Sequence, residues 1–276
     1  MKIFPFKTVK NRSLFSGHVA IGLVFLFLLL GPILTLHDHT SQDLSDSLQA
    51  PSSSHWMGTD YYGRDVFSRL VYGGRITWTV AILSTFIAVL IGTVTGLFSA
   101  YWGGWFDLVV MRLVDVMLAF PRLFVVLLII GLGASSINLL IWALALFSWM
   151  EIARIVRSEV MSKKNLAYVK SARALGFGTP RILFKHILPN ILSPVIVSSV
   201  LLISTIILVE SGLSFLGLGI QAPNASWGSI LNDGKIDPLG TWWLSVPAGF
   251  LILTTVVGFN LIGDGLQKQF DPKKSL

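Results

Sequence analysis

The chain has no cysteine and little charge. With no Cys in 276 residues, disulfides and thiolate metal centres are excluded, and the redox compartment stays undetermined. Asp, Glu, Lys and Arg make up 13 %, roughly half the ~25 % of a soluble domain. Paired carboxylates and histidines are also missing from the long apolar runs, apart from His18 at the edge of the first. An intramembrane enzyme needs a nucleophile–base pair or a metal cluster at depth, and no such constellation is present. The one glycine pattern with nucleotide-site spacing, Gly58 to Gly63-Arg64-Asp65, has no Lys and no Ser/Thr to hold phosphate and magnesium. Nucleotide binding by this chain is therefore not expected.

What is present is apolar sequence: 53 % hydrophobic residues with a mean hydropathy of +0.73. Apolar runs of about 20 residues are the length a bilayer-crossing helix needs. Six are predicted, at about 17–36, 76–101, 108–132, 137–157, 190–212 and 244–264. The first follows Lys2, Lys7, Lys10 and Arg12; it is long for a signal peptide and has no small-residue cleavage site, so it reads as a retained span. Gly133-Ala-Ser-Ser-Ile-Asn138 makes a tight turn between the third and fourth.

The net charge of +7 is informative through its distribution rather than as a nucleic-acid signal. With the N-terminus inside, sixteen Lys and Arg fall on the inner side and four (Arg64, Arg69, Arg75 and Lys235) outside, beside seven aspartates. Both termini are expected in the cytoplasm. In the second span Ser84, Ala88, Gly92, Gly96 and Ala100 recur every fourth residue, a small-residue stripe suited to a crossing helix.

Between spans four and five lies a polar, helix-forming segment. Leu166 to Leu175 is rich in good helix formers, Gly176 is placed to stop it, and Thr179-Pro180 reads as the N-cap and first residue of a second helix. Pro189 is expected at its junction with span five. The arrangement predicts a docking element, with Ala167, Ser171 and Ala174 on one face.

These residues resemble the coupling motif of inner-membrane permeases in ATP-binding-cassette importers: Lys170-Ser171-Ala172 stands at the Glu-Ala-Ala triplet, Gly176 matches the following glycine, and Leu188-Pro189 closes the pattern. The acidic residue and one alanine of the triplet are absent. Tyr168-Val169 and Arg173-Ala174-Leu175-Gly176 resemble the variant in the peptide/nickel branch. So do Gly58 to Leu70, Asp115 to Pro121, and Ser214 to Gly219 followed by Ala222-Pro223 and Trp227-Gly228.

The resemblance implies an all-α polytopic protein of six transmembrane helices, type I importer-like, in a bacterial cytoplasmic membrane. Residues 1–75 would be tail, first span and external loop, 76–264 a five-helix core carrying the coupling segment 158–189, and 265–276 a second tail. The chain would be a transport subunit, not an enzyme, forming half of a pathway for peptides, with nickel or a metal-chelator complex as the alternative cargo. A second permease subunit, two separate ATPases and an extracytoplasmic binding protein are implied partners, with no cofactor and no nucleic acid. Tyr168, Lys170, Ser171, Ala172, Arg173, Ala174, Leu175, Gly176 and Pro189 would then meet the ATPases.

Charges within spans are candidates for the pathway. Asp115, Pro121, Arg122 and Glu210 are the set. Asp115 either pairs with Arg112 or faces the pathway, Arg122 either reaches a neighbouring carbonyl or lines it, and Glu151–Arg154 reads as an ion pair. Glu210 is also open to a snorkelling or packing role. Asp60, Gly63, Arg64, Asp65 and Trp227 are external-loop candidates. Asp60 or Asp65 is expected to cap a short amphipathic helix, and Trp227, Trp242 and Trp243 to anchor at the interface. His37-Asp38-His39 is a poor chelate by itself, His55 and His186 read as surface or interfacial residues, and no metal is expected.

Overall fold

The computed structural model describes residues 12–133 and 136–270. Lys2, Lys7, Lys10, Lys273 and Lys274 of the charge census, and Ala134 and Ser135 of the tight turn, lie outside the described residues. The described residues are mostly helical: α1 (Arg12–Leu34), a short 3-10 turn Leu44–Asp46, α2 (Val66–Trp102), α3 (Gly104–Ala119), α4 (Arg122–Leu132), α5 (Ile137–Leu146), α6 (Trp149–Lys163), α7 (Ala167–Ala174), α8 (Thr179–Arg181), a π-helical stretch Ile182–Ile187, α9 (Leu188–Phe215), α10 (Trp227–Asp233) and α11 (Trp242–Phe270). Among the described residues no β-strand forms, only an isolated bridge between Thr59 and Asp65. Five helices are long and apolar enough to cross a membrane, or six if the bent α3–α4 pair counts as one span.

The second helix is longer than expected. At 37 residues it is roughly 55 Å long, and the surface helix and span expected on either side of residue 75 are one element. Its arginines do not interrupt it because each finds an internal partner: Arg75 Nε donates to the Leu28 carbonyl at 2.9 Å, and Arg69 turns inward to Asp60 and Asp233. Buried or paired charge of this kind is compatible with a helix that is otherwise apolar.

The small-residue stripe of α2 is buried, and α5 and α6 lie on it. A Cβ added at Gly92 would stand 2.5 Å from the Trp149 carbonyl oxygen, and one at Gly96 2.5 Å from that of Ala153. Ser84 Oγ donates to the Ile141 carbonyl at 3.1 Å. Only residues this small let the backbones approach so closely. On the other flank, α1 packs on α11 with Gly17 against the Gly258 carbonyl oxygen, where a Cβ would sit at 2.8 Å.

Two expected helices are interrupted and a third is extended. The third is bent by 82° between α3 and α4. Phe120 is extended (φ −81°, ψ 135°), the conformation imposed on a residue that precedes proline, and Pro121 then opens α4. The fourth breaks at Phe147-Ser148 and continues to Lys163. The fifth begins about eleven residues earlier than expected, because Thr179 to Phe215 is one helical run. Pro189 does not separate two helices. It has no N–H to offer the carbonyl four residues back, and the backbone widens to a π-turn, with the Leu188 N–H bonded to the Leu183 oxygen. The N-cap is Gly178 rather than Thr179, with Thr179 and Pro180 as the first two helical residues.

Substituting Gly96 by Leu should therefore lower the thermal unfolding midpoint of the detergent-purified chain, costing at least about 1–3 kcal/mol by overpacking. The same change at Gly131, where nothing lies within 4 Å, should leave that midpoint unmoved.

Candidate functional site

α7 is short, polar and prominent. Val169 and Ala172, three residues apart, are buried and pack α7 on the Ile182–Ile187 turn. Tyr168, Lys170, Ser171, Arg173, Ala174 and Leu175 are exposed, Leu175 by 73 %. Ala172, expected on the docking face, instead faces the bundle, because it shares the inner face with Val169 three residues away. Desolvation holds the Tyr168 phenol above its ordinary pKa.

The end of α7 is a Schellman motif. Gly176 has φ +78°, its N–H bonds the Arg173 oxygen at 3.0 Å, and the Phe177 N–H reaches back to that of Ala172 at 3.1 Å. A left-handed residue at this position favours glycine. Phe177 then stacks on His186 with ring centroids 5.8 Å apart, and the Arg181 guanidinium lies 4.0 Å over it. Arg173 sits 5.5 Å over the Tyr101 ring at the end of α2. The segment is thus fastened to both α2 and the helix that continues into α9. Pro189 is exposed one turn beyond this cluster.

The opposite end of α2 carries a buried charge network. Asp60 is fully buried; its Oδ1 accepts the Tyr62 and Arg64 amides at 2.8 and 3.0 Å. Its Oδ2 takes Arg64 Nε at 2.7 Å and Arg69 Nη1. Arg69 Nη1 also bonds Asp233 at the end of α10, at 2.7 Å. Gly63 (φ +71°) makes the turn and lies against the Asp43 backbone, leaving no room for a Cβ.

Of the two expected caps, Asp65 is the N-cap of α2, accepting the Ser68 amide at 2.8 Å, while Asp60 serves the turn and the arginines. Two tryptophans are pins rather than interfacial anchors. Trp227, fully buried, donates Nε1–H to the Leu70 carbonyl at 2.9 Å, and Trp243 donates to that of Thr59 at 3.1 Å. Trp242 is half exposed.

The pathway candidates separate. Glu210 is fully buried in α9, accepting from Ser214 Oγ at 2.7 Å and facing the Ser226 and Thr77 hydroxyls. It does not snorkel, because this chain's own hydroxyls enclose it. Asp115 pairs with Arg154 on α6, not with Arg112 or through an Arg154–Glu151 pair. Both border a cleft of about 650 Å³ with Asp107, Arg112 and Arg157. Arg122, just after the Pro121 bend, donates to Ser148 Oγ at 2.5 Å, and that hydroxyl donates to the Leu144 carbonyl at 2.5 Å. The break at Pro121 is therefore tied to the break at Phe147-Ser148 through a hydroxyl rather than the expected carbonyl.

Asp38 is engaged by Thr40, whose amide and hydroxyl hold its carboxyl below the usual range. His39 stacks on Tyr72, whereas His37 stacks on His55, and His55 is buried rather than on the surface.

Residues 88–276, more than half the chain, match the family described as "Binding-protein-dependent transport system inner membrane component". The chain belongs to that family. It is a multi-pass protein of the bacterial cytoplasmic membrane. It is 39 % identical over 264 residues to the "Dipeptide transport system permease protein DppC" of Alkalihalophilus pseudofirmus, covering 96 % of this chain and 87 % of the relative. It is 38 % identical over 266 residues to the "Oligopeptide transport system permease protein OppC" of Bacillus subtilis (95 % and 86 % covered). To the "Glutathione transport system permease protein GsiD" of Pectobacterium atrosepticum it is 37 % identical over 269 residues (95 % and 89 %).

Sequence reasoning missed several polar pairings on which this permease fold relies. Asp233 closes the arginine network, and Ser148 receives Arg122. Asp107 accepts Arg157 Nε and Nη2 at 2.6 Å each, and Ser99 Oγ at 2.5 Å. Only the apolar setting of Asp107 and Arg157 could have flagged them, since their partners are 50 positions apart. Replacing Asp60 by Asn should leave two buried guanidinium groups short of their counter-charge. Loss of one partner of a buried pair costs about 3–5 kcal/mol, which thermal unfolding of the purified chain would register as a large drop in midpoint.

Proposed function

We propose that this permease subunit forms half of the translocation pathway of an ATP-driven peptide importer, and that α7 is where a separate ATPase subunit docks. The observation that carries the reading is the exposed face Tyr168, Lys170, Ser171, Arg173, Ala174 and Leu175 on a helix whose inner face and C-terminal end are fastened to α2 and to the helix that continues into α9. A surface meant to transmit force must be free on its outer side and stiff on its inner side. The positive-inside census supports a cytoplasmic α7 and cytoplasmic termini, where the ATPases would act.

Movement of α7 would be passed through Arg173 to α2 and through the Phe177–His186–Arg181 cluster to the helix that continues into α9. Rigid-body rocking of packed helices is the mode such a linkage suits. The reading also includes a second permease subunit completing the pathway and an extracytoplasmic binding protein delivering cargo. Support for peptide cargo comes from relatives named for dipeptide, oligopeptide and glutathione transport; these names favour peptides over nickel or a metal chelate.

Reconstituted with its partner subunits, a Leu175→Asp variant should lose labelled-dipeptide uptake by about tenfold or more, the size of an ordinary coupling free energy. Its thermal unfolding midpoint should stay that of the wild type, since Leu175 buries little. Ala172→Trp should instead lower that midpoint. Undiminished dipeptide uptake by the folded Leu175→Asp variant would refute α7 as the docking helix.

A further inference from the structure

At the end of the bundle opposite α7, three side chains from separate segments converge. His37 follows α1, His55 belongs to the loop before α2, and Asp65 is the N-cap of α2; one donor atom from each lies within 4.8 Å of the others. His55 Nδ1 is 3.0 Å from Asp65 Oδ1, and His37 Nδ1 is 4.0 Å from the same oxygen. The first distance is a hydrogen bond and the second is too long for one. The two imidazoles are stacked, with centroids 4.4 Å apart and planes 29° from parallel, and the δ-nitrogen of each lies within 4.0 Å of the same carboxylate oxygen. A cavity of about 10 Å³ borders His37 and Asp65, about the room a single water-sized sphere requires.

The surroundings hold the donors in place. Asp65 uses its other oxygen for the Ser68 amide at 2.8 Å, which leaves Oδ1 to the two rings. The Ser68 hydroxyl donates to the His37 carbonyl at 2.9 Å, so one residue ties two of the three donor segments together. His55 is fixed by its backbone: its carbonyl accepts the Ser52 and Gly58 amides at 2.8 and 2.9 Å. Its far ring nitrogen, Nε2, faces Asp46 Oδ2 at 3.9 Å. A carboxylate behind the second nitrogen of a histidine is the usual companion of a metal-binding imidazole.

We propose that His37, His55 and Asp65 form a zinc site that clamps the exit of α1 to the start of α2. Two imidazoles and one carboxylate are a borderline nitrogen–oxygen set suited to zinc, with a fourth position left to water. Bonds of about 2.0–2.2 Å require the donors to draw together, and exposed His37 is the one with freedom to move. The site is independent of the transport reading, since it joins two helices of this chain and uses no residue of α7.

The test uses the full chain in lipid nanodiscs, purified without a histidine tag, stripped with a chelator and titrated calorimetrically with Zn²⁺. One equivalent should bind saturably and raise the thermal unfolding midpoint. His37→Ala should weaken binding at least about tenfold, no less than loss of an outer-shell partner does, and abolish the shift in midpoint. Asp65→Asn, which keeps a capping side chain, should weaken binding similarly. His39→Ala should bind as the wild type does. Absence of one-site binding, or equal affinity in the His37→Ala variant, would overturn the proposal. So would a loss in His39→Ala matching that in His37→Ala.

Discussion

Helices surrounded by lipid gain little hydrophobic free energy by meeting one another, so they associate where their backbones can come close. In this chain that condition is met along α2. Gly92 and Gly96 admit the carbonyl oxygens of Trp149 and Ala153 to within contact of the α2 backbone. α2 thereby becomes the member against which α5, α6, α9 and part of α1 are arranged. Its length carries the consequence to both ends: Tyr101 meets Arg173 of α7, while Asp65 and Arg69 organise the loops about 50 Å away. A displacement at α7 therefore has a rigid element to act on.

Polar groups mark the places where helices are broken or loops close over the bundle. Backbone groups freed by a break in lipid need a partner, and the two irregular points, Pro121 and Phe147-Ser148, are joined through Arg122 and Ser148. The Asp60, Arg64, Arg69 and Asp233 cluster fastens α10 to the start of α2. Glu210 does the same for α9 through the hydroxyls around it. These charges sit in low-dielectric surroundings where an unpaired group is costly, so each reads first as a fastener between segments.

Much of this was legible in the sequence. The small-residue stripe foretold the α2 contact because it encodes backbone approach directly. Gly176 foretold the end of α7 because few residues other than glycine accept φ +78°. Positions whose partners are distant were not legible. Asp233 is 164 residues from Arg69 and Asp107 is 50 from Arg157, and no local pattern announces such pairs. Pro121 and Pro189 look alike in sequence, yet one bends its helix by 82° and the other is absorbed in a π-turn. Ala172 was read as a docking residue from its motif position, whereas helical geometry turns it inward beside Val169.

The absence of cysteine makes the central claim directly measurable. Single cysteines placed at Ser171 and at Ala172, in the transporter assembled in membranes, can be treated with a short thiol cross-linker against a cysteine on the ATPase subunit. The account predicts a cross-link from position 171, on the exposed face of α7, and little or none from position 172, which faces the bundle. Equal cross-linking at the two positions, or none anywhere along the exposed face of α7, would contradict it.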